Sequence, residues 1–156
     1  NYIGKLPQYN GKENTASNFY INQRLIPQIR MAKDLGYDLP ADDVFFKNVE
    51  DAIPDESSSL IHGDLWAGNY MTDEKGNPVL IDPATCYAHR EMDLAMMKLF
   101  GGYSSRIFEI YDENYRLETQ WQSRIKLYQL YYLLVHLNLF GAGYLSSVEN
   151  IIRQYR

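Results

Sequence analysis

Cysteine is almost missing from this sequence, because Cys86 is the only one among 156 residues. A lone cysteine cannot form an internal disulfide, and this usage is typical of a reducing compartment, so we predict a cytoplasmic protein. Cys86 is too isolated for a metal site, and we expect it to be a small buried residue. Long apolar runs are also missing, since the stretch 130–140 is interrupted by His136 and Asn138. No membrane partner is therefore expected.

Positive charge is also in short supply. Lys and Arg number 15 against 20 Asp and Glu, which gives a net charge of −5 and an isoelectric point near 5.1. Proteins that bind nucleic acid carry basic patches, so we expect no nucleic-acid partner. The chain also has neither an initiator Met nor a signal-peptide pattern. We interpret it as a piece of a longer protein or as a processed product.

Aromatic residues, in contrast, make up 14% of the chain, and hydrophobic residues make up 46%. This composition predicts a packed core and one domain over 1–156. The spacing of apolar residues predicts an α+β, mainly helical fold with a loop over 1–15. Pro27 predicts either a kink or two shorter helices over 17–36. We interpret His136 as a core histidine. The tyrosines of the long helix are interpreted as packing residues: Tyr128, Tyr131 and Tyr132. The predicted helices span 17–36, 42–53, 91–100, 104–115, about 118–140 and 146–156, and the β runs span 60–62, 69–72 and 78–81. The candidate starting residues are Ser17, Asp42 or Asp43, Ser104 or Ser105, and Ser146 or Ser147.

Two loops flank the predicted β hairpin and contain the candidate catalytic and metal-binding residues. The first loop, 62–69, reads HGDLWAGN, in which Asn69 follows Asp64 by five positions. The catalytic loop of kinases has the same spacing, where the Asp takes the proton of the substrate hydroxyl and the Asn holds magnesium. The second loop, 82–90, opens with Asp82 directly after an apolar run. We therefore predict phosphoryl transfer, with Asp64 as the base and with Asn69 and Asp82 as magnesium ligands.

Each of these residues also has a plainer interpretation on its own. Asp64 can be a turn residue, Asn69 a polar residue at a strand edge, and Asp82 a loop cap. The combination of both loops favours the kinase interpretation. We interpret His62 as a hydrogen-bond partner of the loop backbone rather than as a proton carrier. Trp66 either stacks on the substrate or is a buried wedge that holds the loop, and both readings stay open.

The string 62–69, followed by Ile-Asp-Pro-Ala at 81–84, resembles the aminoglycoside phosphotransferase and choline kinase superfamily. Leu65-Trp66 and the string HREMDLAM at 89–96 resemble the fructosamine kinase family in particular. The stretches 1–8, 19–27 and 128–144 also resemble this family. The resemblance implies the C-terminal lobe of a protein-kinase-like fold, with ATP and magnesium as cofactors. It further implies phosphorylation of the 3-hydroxyl of ketosamines, which are sugar adducts of small amines or of proteins.

The resemblance also implies roles for residues at the end of the second loop and just beyond it. Asp93 would support the catalytic loop by accepting hydrogen bonds from its backbone, as His62 supports it from within. The alternative is that Asp93 is a charge at a helix N-terminus that faces water. His89, Arg90 and Glu91 are candidate substrate-binding residues together with Trp66.

One part of a kinase is missing from the sequence. No G-x-G-x-x-G phosphate loop occurs, and Lys5 and Lys33 lack the strand context of a nucleotide-binding lysine. We therefore expect the N-terminal nucleotide-binding β lobe to be absent and the chain alone to be inactive. The alternative functions are a kinase for choline, an aminoglycoside or homoserine, and a non-catalytic remnant of the kinase fold. The strings Leu65-Trp66 and 89–91 favour the ketosamine kinase.

Overall fold

The computed structural model describes residues 1–156, which form seven α-helices and six short strands. The predicted α+β, mainly helical class is confirmed. The helices are α1 (Ala16–Phe19), α2 (Ile26–Asp34), α3 (Asp43–Ala52), α4 (Glu91–Leu99), α5 (Ser105–Asn114), α6 (Trp121–Phe140) and α7 (Leu145–Gln154). The strands are β1 (Tyr2–Ile3), β2 (Leu6–Pro7), β3 (Ser59–Ile61), β4 (Tyr70–Thr72), β5 (Pro78–Leu80) and β6 (Cys86–Ala88).

Helix α6 lies at the centre of the fold. Twelve of its 20 residues are buried, and a helix with so few polar sides has to be enclosed by other elements. Helices α2, α4 and α7 pack around it. The buried residues of α6 include Tyr128, Tyr131 and Tyr132, so their predicted packing role is confirmed. No helix of the structure, α6 included, has the length and apolar character needed to cross a membrane.

The first helical stretch differs from the prediction at its start and is divided in two at its middle. The Thr15 side chain accepts the Asn18 N–H and caps α1, whereas the predicted cap, Ser17, is buried within the helix. Between α1 and α2 the chain runs as π-helix over Tyr20–Leu25. Of the two predicted alternatives, two shorter helices are therefore confirmed, and the π-helix between them ends two residues before Pro27, whose nitrogen has no hydrogen to donate.

The later helices follow the predictions closely. Of the two candidates predicted for each start, Asp42 caps α3 and Ser104 caps α5, because their side chains accept backbone N–H groups. Helix α6 begins at Trp121, three residues later than predicted. Helix α7 begins at Leu145, because the 3-10 turn Ala142–Tyr144 leads straight into it.

The strands form three separate antiparallel pairs: β1–β2, β3–β6 and β4–β5. The pair β4–β5 confirms the predicted hairpin. Strands β1 and β2 lie within 1–15 and β6 lies within 82–90, so the prediction of continuous loop in both segments is wrong. Strands of two or three residues are too short to show an alternating pattern. The β3–β6 pairing places Ile61 opposite Cys86, which is buried as expected, and brings the two predicted site loops together.

Candidate active site

Asn69 joins the two loops of the predicted site. Its Nδ2 atom donates to the main-chain carbonyl of Asp64 at 2.9 Å and lies 3.5 Å from the Asp64 carboxylate oxygen Oδ2. The same nitrogen lies 3.4 Å from the carbonyl oxygen of Asp82. Asn69 is buried, so a single amide group ties the predicted base to the loop of the predicted metal ligand.

His62 makes a second connection between the loops. Its Nδ1 atom accepts the backbone N–H of Asp64 at 3.3 Å, so Nε2 carries the ring proton and donates to the carbonyl of Ile81 at 3.0 Å. Both ring nitrogens are thus used by backbone, which matches a structural role. The next residue, Asp82, has a left-handed backbone with φ of 52°. Such a conformation costs a non-glycine residue about 1–3 kcal/mol and is typical of functional sites.

Gly63 is needed where the two loops touch. Its φ is +81°, and a Cβ atom at this position would lie 2.2 Å from the carbonyl oxygen of Ala84. Backbone atoms cannot yield to such a clash as a flexible side chain can. The absence of a side chain at position 63 therefore allows the close approach of the loops.

Asp93 anchors the catalytic loop from the first turn of α4. Its Oδ2 atom accepts the His62 N–H and its Oδ1 atom accepts the Gly63 N–H, each at 2.8 Å. Hydrogen bonds to an ionised acceptor are stronger than neutral ones. The carboxylate therefore faces the loop backbone and not water.

Burial affects both carboxyl groups at the loop. It raises the pKa of Asp64 above its ordinary value, with nearby His62 and His136 lowering this pKa and the neighbouring Asp82 carboxylate raising it further. A higher pKa makes Asp64 a better proton acceptor at neutral pH. Burial also raises the pKa of Asp93, against the opposing effect of its two N–H donors.

An apolar pocket of about 400 Å³ opens beside Asp64. Aromatic rings of Trp66, Phe100 and Phe140 form much of its wall. His136 also lines the pocket, with its ring centroid 5.0 Å from that of Phe100 and 5.4 Å from that of Phe140. His136 is half-buried and its Nδ1 donates to the carbonyl of Tyr132 at 2.7 Å, so the ring is satisfied within the helix as predicted but lies at the pocket wall rather than deep in the core. The four-residue step from His136 to Phe140 places both on one helix face, and this spacing is a signal of their contact that is visible in the sequence.

Trp66 combines features of both interpretations left open by the sequence. It is 41% exposed, and its ring meets Phe100 edge-on at 6.4 Å. The ring also covers Gly68, where a Cβ atom would lie 2.2 Å from a ring carbon. Trp66 therefore packs on its own loop while part of its ring stays accessible in the pocket.

The three candidate substrate residues at the end of the second loop and just beyond it, His89, Arg90 and Glu91, make contacts inside the fold. Glu91 is fully buried and accepts two hydrogen bonds from Arg124, at 2.8 and 2.6 Å. Arg90 pairs with Glu56, and His89 is only 2% exposed. Neither these pairs nor His89 line the pocket beside Asp64. These contacts hold the end of the second loop against the helices. Substrate binding by His89, Arg90 and Glu91 stays a prediction.

Oxygen atoms suited to magnesium lie where the loops meet. Asn69 uses Nδ2 in all of its side-chain hydrogen bonds, which leaves its Oδ1 for a cation. Asp82 adds a carboxylate on an exposed residue of the adjoining loop. The chain has no cluster of three or more His, Cys or carboxylate side chains that could hold a metal. Amide and carboxylate oxygens are the ligand types that magnesium prefers, so these two residues fit a magnesium ion, and their role as its ligands stays a prediction.

Comparison with known proteins agrees with this geometry. The fructosamine kinase family model matches residues 1–156. The chain belongs to the fructosamine kinase family. It is 40% identical over 158 residues to a Lactiplantibacillus plantarum protein named "probable ketoamine kinase", covering 97% of this chain and 56% of that protein. It is 37% identical over 160 residues to the mouse ketosamine-3-kinase, covering 96% of this chain and 50% of the mouse protein.

Solved structures of the fructosamine kinase family have the same fold. A crystal structure from Thermobifida fusca, whose protein is named as a fructosamine-3-kinase, superposes with a TM-score of 0.86 at 40% identity. The match covers 99% of this chain and 55% of that one. The chain therefore spans about half the length of the relatives that it matches.

Proposed function

We propose that this chain is the catalytic lobe of an ATP-dependent kinase that phosphorylates the 3-hydroxyl of ketosamines, on small amines or on proteins. The observation that carries the proposal is the single amide of Asn69, which holds the Asp64 and Asp82 loops together beside an open apolar pocket. Membership of the fructosamine kinase family and the names of the relatives supply the reaction and the acceptor class.

In the proposed mechanism the acceptor lies in the pocket with its hydroxyl near the Asp64 carboxylate. The hydroxyl oxygen attacks the γ-phosphorus as Asp64 accepts the proton, and the bond from the γ-phosphorus to the β–γ bridging oxygen breaks to release ADP. Burial of Asp64 suits this role because it raises the pKa of the carboxyl.

Asn69 Oδ1 and the Asp82 carboxylate would hold magnesium, which neutralises charge on the phosphate oxygens when it is bound. Asp93 keeps the loop in place through its bonds to the backbone of residues 62 and 63. Trp66, Phe100 and Phe140 would exclude water around the acceptor, which strengthens the charge interactions of the site.

The remaining half of the relatives' length has a role in this proposal. We propose that an upstream N-terminal lobe supplies the phosphate-covering loop and the lysine that kinases use, and that this chain is inactive without them. The enzyme that results from joining this chain to the upstream segment of the Lactiplantibacillus plantarum relative is called the completed enzyme below.

The test is ATP turnover by the completed enzyme on a panel of acceptors. A fructosylated amino acid should be phosphorylated, whereas choline, an aminoglycoside and homoserine should not. Preferential phosphorylation of choline, the aminoglycoside or homoserine would show that this acceptor, and not a ketosamine, is the substrate. Absence of turnover with every acceptor would favour a non-catalytic remnant. The chain alone, tested in parallel, should be inactive, and turnover equal to that of the completed enzyme would refute the need for the second lobe.

A further inference from the structure

The N-terminal hairpin β1–β2 reaches the second site loop through two side chains. Gln8 Nε2 donates to the carbonyl of Ala84 at 2.8 Å, and Asn1 Nδ2 donates to the carbonyl of Thr85 at 2.7 Å. Gln8 is only 5% exposed, so its bond is shielded from competing water. The carbonyls of two successive residues, two and three positions beyond Asp82, are thus held by side chains from the first eight residues.

The orientation of the Gln8 amide is determined by helix α6. The buried hydroxyl of Tyr131 donates to Gln8 Oε1 at 2.8 Å. Burial also raises the pKa of Tyr131, so its hydroxyl keeps the proton that it donates. Because Oε1 faces this donor, Nε2 has to face Ala84. The three residues form one directed chain of hydrogen bonds from the core to the loop.

The Ala84 carbonyl oxygen is contacted by two groups. Gly63 of the first site loop approaches so closely that a Cβ atom there would be 2.2 Å from this oxygen. The Gln8 amide donates to the same oxygen at 2.8 Å, and this bond is buried. A shift of the carbonyl away from its position would therefore either disturb the close approach to Gly63 or lose a buried hydrogen bond.

We propose that Gln8 is a positioning residue, which sets the loop of Asp82 against Asp64 and Asn69 and thereby determines how tightly the site binds magnesium. The inferred positioning of the Asp82 loop by Gln8 depends only on the hydrogen bonds. The inferred effect of Gln8 on magnesium binding rests on the proposed function. Groups that orient metal ligands change metal affinity by about 10–100-fold when they are replaced.

Gln28 provides a matched control. It is also a buried glutamine, at 2% exposure, and its Oε1 accepts a hydrogen bond from Asn138 at 2.8 Å. Its side chain bonds neither site loop. Gln8→Met and Gln28→Met therefore each remove one buried amide, but only the first removes a bond to the loop of Asp82.

Hydrogen exchange of this chain tests the geometry without any activity. Gln8→Met should raise exchange of the backbone amides in 81–86 by about tenfold, and Gln28→Met should leave this segment protected. Tyr131→Phe keeps the ring but frees the Gln8 amide to flip, so it should give a smaller increase in the same segment. Equal exchange of 81–86 in the two Met variants would overturn the proposal.

The kinetic test uses the completed enzyme. Gln8→Met should raise the half-saturating magnesium concentration by about tenfold or more, with a smaller change in KM for the ketosamine. Gln28→Met should not shift the magnesium requirement, whatever its effect on Tm. An unchanged magnesium requirement in Gln8→Met would overturn the positioning role. If the exchange difference appears but the unsubstituted completed enzyme phosphorylates no ketosamine, the proposed function fails and the structural role of Gln8 is supported.

Discussion

Replacing Asp64 by Asn is expected to separate activity from stability at this site. The substitution keeps the side-chain shape, and the hydrogen-bond partner of the carboxylate, Asn69 Nδ2, lies at a distant 3.5 Å. The change removes the proton acceptor. A positioned base contributes about 10²–10⁴-fold, which corresponds to about 2.7–5.4 kcal/mol of activation free energy. Turnover of the completed enzyme should therefore fall by at least about 10²-fold, while ATP binding is retained.

The same substitution should stabilise the chain at neutral pH. Burial raises the pKa of Asp64 from its ordinary value of 3.8, so the folded state binds the proton more tightly than the unfolded state does. The stability that Asp64 contributes is fully present below pH 3.8 and is lost as the pH rises through the raised pKa. Asn carries no charge and avoids this loss. The advantage of Asp64→Asn over the unsubstituted chain should therefore be larger at pH 7 than in acid.

Asp73, in the turn of the β4–β5 hairpin, is a control because its pKa is shifted in the opposite direction to that of Asp64. Hydrogen bonds from the side chain and backbone of Asn77 lower its pKa. Its contribution to stability is present above pH 3.8 and is lost as the pH falls through the lowered pKa. Asp73→Asn should therefore destabilise the chain at pH 7 and leave turnover of the completed enzyme unchanged.

Two measurements test the predictions for Asp64→Asn and Asp73→Asn. Urea unfolding of this chain near pH 3 and near pH 7 compares the stability of the two variants with that of the unsubstituted chain. Steady-state kinetics of the completed enzyme compare their turnover. Near-normal turnover of Asp64→Asn would refute its role as the base. A loss of stability in Asp64→Asn at pH 7 would refute the reasoning from burial.

Three further substitutions test the contacts that hold the site loops in place. Asp93→Asn leaves one of two backbone N–H groups facing an amide NH₂. We therefore expect a loss of about 1–3 kcal/mol in the free energy of unfolding, measured in urea, and unchanged stability would show that the anchor is dispensable. Gly63→Ala has to displace the carbonyl of Ala84, and a shift of about 1 Å should reduce kcat by about 10²-fold, so normal kcat would contradict the close approach of the loops. Glu91→Ala leaves Arg124 as an uncompensated buried charge, so urea unfolding should show a loss of about 3–5 kcal/mol in the free energy of unfolding. The double variant Arg124→Met, Glu91→Leu should recover much of this stability. No recovery would argue that the loss in Glu91→Ala does not come from the broken ion pair.

Features that depend on neighbouring residues could be predicted from the sequence. The spacing of Asp64 and Asn69 follows from one short loop, in which the Asn69 side chain bonds the main-chain carbonyl of Asp64, five residues earlier. The turn of the β4–β5 hairpin is stabilised by Asp73 and Asn77, which are four residues apart. Asp42 and Ser104 cap their helices through N–H groups two or three residues later. In each case the partners lie within the same short pattern, so their chemistry is visible before the chain folds.

Contacts between distant segments were decided by tertiary structure alone. Glu91 pairs with Arg124 across 33 positions, and Gln8 reaches Ala84 across 76. Neither contact leaves a periodic signal in the sequence, because the packing of helices around α6 selects which segments meet. The same packing turns the half-buried ring of His136 toward the pocket and takes residues 89–91 away from it. Residue identity determined which chemistry was available, and long-range packing decided which side chains could reach one another to perform it.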